Sequence, residues 1–79
     1  LFRSRASPRM AYRVYDEFPP DFWEKEENGS FLIRFAMPQN EWLYSYLLGY
    51  GPELEVIAPP QVREELLERA EKILKNYKS

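Results

Sequence analysis

Proline and glycine cut this chain into short pieces, with breaks at Ser7-Pro8, Pro19-Pro20, Asn28-Gly29, Pro38, Gly51-Pro52 and Pro59-Pro60. Proline has no backbone N–H and disfavours the helical conformation for the residue before it, so each break ends the element that precedes it. Only the stretch after Pro60 is long enough for a helix of four turns or more. The fold must therefore be assembled from several small elements, and the periodicity inside each piece says which.

Leu1 to Ala6 alternates apolar and polar residues, the pattern of a half-buried strand. Ser7 is expected to cap a helix over Pro8–Phe18, with Met10, Ala11, Val14, Tyr15 and Phe18 along one face. Asp21–Glu27 and Ser30–Met37 flank Asn28-Gly29, the dipeptide suited to a two-residue type I′ hairpin. In the second of these strands Phe31, Ile33, Phe35 and Met37 share a face, which is expected to be the buried one, and Leu32, Arg34 and Ala36 share the other. Asn40 can cap a helix that carries Trp42, Leu43, Tyr46, Leu47 and Tyr50 before Gly51-Pro52 closes it. Glu53–Ala58 alternates again, with Leu54, Val56 and Ala58 on one side. Gln61–Tyr77 then shows a helical stripe of Val62, Leu66, Leu67, Ala70, Ile73, Leu74 and Tyr77, with Lys72, Lys75 and Lys78 near the end that favours positive charge. The order β-α-β-β-α-β-α predicts an α+β fold, a ferredoxin-like βαββαβ sandwich with an additional C-terminal helix. Its sheet order would be 4-1-3-2, with one face free of helices.

A chain of 79 residues can bury one small core, so residues 1–79 are read as a single domain. It begins at Leu1 with no charged n-region or apolar h-region, and we read that start as a boundary within a longer protein. At 44% hydrophobic and 16% aromatic it carries too much apolar matter for a disordered segment. Without cysteine it has neither disulfides nor thiolate ligands, and a cytoplasmic location is expected. No apolar run approaches the length of a membrane span. The net charge of -2, with no block of like charges, gives this fragment no reason to hold duplex DNA.

The absence of histidine and cysteine removes the usual nucleophile-base pairs, the imidazole switch and the nitrogen and sulfur metal ligands. We expect no catalytic residue, no metal site, no cofactor and no enzyme activity. Glu26-Glu27 and Glu64-Glu65 read as solvated charge, and the three glycines lack phosphate-loop spacing. Arg3 and Arg5 alternate on the first strand and Arg34 lies on the third, so the three can converge on the open face as an anion or effector site. The competing and favoured reading pairs them with Glu55 and with Glu24 or Glu26. The second helix is rich in rings: core packing is favoured for Trp42 and Tyr46, whereas Tyr44 falls off the main stripe and is left between core and interface. Trp42, Tyr44, Tyr46 and Tyr77 are the candidate interface residues, the last because the third helix has no place in the minimal fold and must bury its stripe against the sheet or another chain.

The strings Met10-Ala11-Tyr12-Arg13-Val14-Tyr15-Asp16-Glu17-Phe18, Asn28-Gly29-Ser30-Phe31, Glu41-Trp42-Leu43-Tyr44, Gly49-Tyr50-Gly51 and Glu55-Val56-Ile57-Ala58-Pro59, followed by Arg63, run through nearly the whole chain. Together they resemble the C-terminal extension domain, WCX, of WYL-domain, helix-turn-helix bacterial transcriptional regulators of the YafY/YobV-like branch. The resemblance implies a three-part protein in which an N-terminal domain outside this chain binds DNA and a WYL domain senses a ligand. This domain would then assist assembly of a homodimer and relay the effector signal, working with the WYL domain of the same or a partner chain. The alternative is a module that binds an anion, nucleotide or single-stranded oligonucleotide directly on the open sheet face.

Overall fold

A computed structural model describes residues 2–78. Strand β1 (Phe2–Ala6) leads through a 3-10 turn at Pro8–Met10 into helix α1 (Ala11–Glu17). A second 3-10 turn, Pro20–Phe22, precedes β2 (Trp23–Lys25) and β3 (Phe31–Phe35). Helix α2 (Glu41–Leu48), a 3-10 turn at Gly51–Glu53, strand β4 (Leu54–Ala58) and helix α3 (Pro60–Tyr77) complete the chain. The strands form one antiparallel sheet in the order β2-β3-β1-β4. Leu1, expected to open the first strand, lies outside the described residues.

Period-two alternation sends one set of side chains inward. Phe2 pairs with Phe35, Ser4 with Ile33 and Ala6 with Phe31 across β1 and β3, and all six are buried. Phe2 stacks on Phe35 with ring centroids 5.5 Å apart, Phe18 leans on Phe35 at 5.3 Å, and Tyr15 and Trp23 meet Phe31 edge-on at 5.6 and 5.4 Å. Offset and edge-to-face contacts of this kind are the favoured ring geometries. Val14 from α1, Leu43 and Leu47 from α2, Val56 from β4 and Val62 from α3 close the core. Each such side chain contributes about 1.5–3 kcal/mol by leaving water.

Several elements depart from expectation for local reasons. Ser7 makes no side-chain cap; its hydroxyl donates to Glu53 Oε1 at 2.9 Å and its N–H to Glu53 O at 2.9 Å, tying the end of β1 to the start of β4. The first helix accordingly begins with a 3-10 turn and ends at Glu17, with Phe18 already extended ahead of Pro19. The second strand is shorter than Asp21–Glu27, because Pro20 starts a turn in which Phe22 N–H donates to Pro19 O. The hairpin is not a two-residue type I′ turn. That turn needs positive φ at both central residues, and only Gly29 (φ 88) has it. The loop closes instead with Gly29 N–H on Glu26 O and Glu26 N–H on Ser30 O, while Asn28 Oδ1 accepts the Ser30 N–H at 2.9 Å. Asn40 does cap α2, its Oδ1 accepting the Leu43 N–H at 3.0 Å. Phe31, Ile33 and Phe35 are buried as expected; Leu32, on the opposite face, is also largely covered.

Candidate functional site

The register brings Arg3, Arg5 and Arg34 to one sheet face, as their alternation implied. Arg3 lies directly opposite Arg34 across β1 and β3, and Arg5 lies opposite Leu32. Two of the three are already engaged. Arg5 grips Glu26 with both prongs, Nε to Oε1 at 2.8 Å and Nη2 to Oε2 at 3.3 Å, and Arg34 Nη1 lies 3.9 Å from Glu24 Oε2. The hydrogen bond between Arg5 and Glu26 raises the guanidinium and holds the carboxyl below its ordinary value. Glu55 sits opposite Arg5 on β4 but bonds to Arg63 of α3 at 3.4 Å, whose Nη1 also donates to Val56 O at 2.6 Å. Among the described residues Arg3 has no ion pair. The face thus follows the paired reading for Arg5 and Arg34 and leaves Arg3 free.

The aromatic helix is arranged differently from expectation. Burial follows Leu43 and Leu47 on α2 and then Tyr50 just past its end, spaced four and three residues apart, so the apolar face is centred one residue past Trp42. Trp42, expected in the core, is 59% exposed and lies nearly parallel on the half-buried Tyr46, centroids 5.2 Å apart. Tyr44 is half-buried because α3 passes over it, with the Arg69 guanidinium 4.7 Å from its ring. Tyr77 is 84% exposed.

A polar seam that sequence reasoning missed joins α1 to the end of α2. Glu17 accepts hydrogen bonds from Arg13 Nε at 2.9 Å, from the Tyr50 hydroxyl at 2.8 Å and from the Tyr46 hydroxyl. The Arg13 guanidinium lies 3.9 Å from the Tyr50 ring centre. Burial pushes the Glu17 carboxyl up, but these donors outweigh it and hold the group below the usual carboxylate range. Burial, reinforced by Glu17, pushes the Tyr46 hydroxyl far up, and burial likewise raises Tyr50. The i,i+4 spacing of Arg13 and Glu17 was the one signal of this network in the sequence.

Helix α3 carries four exposed large hydrophobic side chains, Leu67, Ile73, Leu74 and Tyr77. Val62 is fully buried and Leu66 packs against the core, but Leu67 is 61% exposed and the run continues through Ala70, Ile73, Leu74 and Tyr77 to the helix end. Beside its first half runs a groove of about 460 Å³, with Leu47, Leu48 and Leu54 on one wall and Leu66, Leu67 and Ala70 on the other. Arg69 clamps α3 to α2 by bonding Glu41 Oε2 at 3.0 Å and is held along its own helix by Glu65 Oε2 at 2.7 Å; Glu41 draws its guanidinium upward. Among the described residues no group of three acidic side chains is placed to hold a metal ion, and no helix is long and apolar enough to cross a membrane.

Comparison with known proteins gives one match: the family model of the WCX domain covers residues 2–74. No curated protein and no solved structure matches the chain.

Proposed function

The chain belongs to the WCX domain family, and from that premise we propose that it is the C-terminal regulatory domain of a WYL-type bacterial transcriptional regulator, assisting homodimer assembly and relaying an effector signal to a DNA-binding domain outside this chain. The observation that carries this reading is the uncovered stripe of α3, since apolar side chains left in water along one helix face favour association with another surface. The sheet order β2-β3-β1-β4 supports a ferredoxin-like arrangement to which α3 is the addition. The lack of histidine and cysteine supports a binding role over catalysis, and a cytoplasmic location follows from work on DNA. Deleting this domain from the full-length regulator tests the proposal. A regulator that loses its dimer and its response to effector, while its DNA-binding domain stays folded, is the expected outcome; unchanged assembly and response would overturn it.

A second reading rests on Arg3, which has no ion pair among the described residues and stands opposite Arg34. Those two guanidiniums suit a phosphate or carboxylate on the open face. Replacing Arg3, Arg5 and Arg34 by alanine should then abolish binding of phosphate or a short single-stranded oligonucleotide and leave assembly intact.

A further inference from the structure

The apolar run of α3 has two halves of opposite shape. Leu66, Leu67 and Ala70 form the wall of a groove, whereas every residue from Glu71 to Lys78 is exposed, so Ile73, Leu74 and Tyr77 stand out as a ridge. At 3.6 residues per turn these six side chains fall within an arc of about 120° on a helix about 27 Å long. A groove and a ridge that follow one another along one helix, both apolar, are complementary to the same surface rotated by a half-turn.

We infer that two copies of this chain pair through α3, antiparallel, about a two-fold axis near Ala70. The inference rests on the assembly reading above and specifies its surface. In this arrangement Leu74 of each copy meets Leu66 of the other, Ile73 meets Leu67, and Tyr77 enters the groove beside Arg63. The contact is isologous and closed, as a two-fold dimer requires. A parallel pairing would set groove against groove and leave both unfilled. Charge agrees at the ends: Glu64 and Glu71 lie seven residues apart along one flank of the stripe, and Lys78, seven further, is the C-cap that follows the helix. The antiparallel arrangement puts Lys78 of each copy against Glu64 of the other, two attractive contacts. It also brings the two Glu71 side chains together near the axis, where they repel.

That mixture of attraction and repulsion makes the geometry testable by sign. Light scattering on the chain across a concentration series should show a reversible dimer. Leu74→Glu, at a position 50% exposed and outside the core, should weaken it by at least about tenfold while the circular dichroism spectrum stays native. Glu64→Lys and Lys78→Glu should each weaken the dimer a few-fold, and mixing the two variants should restore it, because the mixed pair is complementary at both ends. Glu71→Gln should tighten it. The chain has no cysteine, so Ala70→Cys provides a single thiol that should be captured by a short bismaleimide, whereas Lys72→Cys, on the far side of the helix, should not. A dimer that ignores Leu74→Glu and fails to cross-link at residue 70 overturns the α3 pairing and leaves the assembly reading standing. A chain monomeric at every concentration overturns the pairing, and the deletion test above then decides the assembly reading by itself.

Discussion

On the covered face of the sheet, Phe2, Phe31, Ile33 and Phe35 are at most 6% exposed and meet side chains from all three helices; on the opposite face the same strands carry Arg3, Arg5, Arg34 and Glu24 in water. The first set is stabilised by removal of apolar area, which depends little on the identity of any one neighbour. The second is held by pairwise ion contacts, which are screened by salt and weakened by the mobility of long side chains. The difference teaches where this molecule tolerates change: the face that encloses the core is costly to alter, and the face that meets solvent is open to new chemistry.

The strongest way to break that contrast is Phe31→Ala. The ring is fully buried against Tyr15 and Trp23, and its loss should cost about 3–5 kcal/mol in urea unfolding, a large fraction of the stability of a small domain. Next is the seam between α1 and α2. Glu17→Gln keeps the volume but removes the charge that three donors share, and should cost about 1–3 kcal/mol. Its pH dependence has a definite sign. The folded Glu17 carboxyl lies below its ordinary 4.5, so its stabilisation is present above that value and lost as pH falls through the lowered one. Tyr46 and Tyr50 are raised, so their contribution holds below about 10 and is lost as pH climbs into the alkaline range. Thermal melts of wild type and Glu17→Gln from pH 2 to 11 should converge at the acid end.

Ser4 sharpens the comparison in the other direction. It faces the core at β1, fully buried, and its hydroxyl has no partner among the described residues. Ser4→Ala should therefore raise the unfolding free energy, by about 1 kcal/mol. The smallest effect is expected on the outer face, where Arg34→Ala removes a 3.9 Å contact between two exposed side chains. Its unfolding free energy should lie within about 0.5 kcal/mol of wild type. A loss as large as that of Phe31→Ala would show the two faces to be equally constrained.

Much of this architecture was legible beforehand because its causes are local. Proline breaks, alternation in Phe31 to Phe35 and the Asn40 cap act within a few residues of themselves, and the sheet and helices fall where they point. The errors share a different origin. The hairpin depended on the φ of one asparagine, and Ser7 had to choose between capping its own helix and bonding Glu53, 46 residues away. Trp42 and Leu43 are adjacent on α2 and both were expected on its apolar face; that Leu43 is buried and Trp42 is not turned on a rotation of the helix by about one position. At the candidate site, the convergence of three arginines was readable from register and alternation. Which glutamate each would take was not, since Glu24, Glu26 and Glu55 were all in reach of the same face.

What the sequence determined by itself is the set of elements, their order, the side of β3 that seeks the core and the absence of histidine and cysteine chemistry, all consequences of residue type and short-range spacing. What only the tertiary structure decided is that Glu55 serves Arg63 rather than the arginine opposite it, that α3 half-covers Tyr44, and that the same helix leaves its last two turns bare. The physical reason is that burial and ion pairing are properties of the space between elements, and that space exists only once the sheet and helices have taken their places.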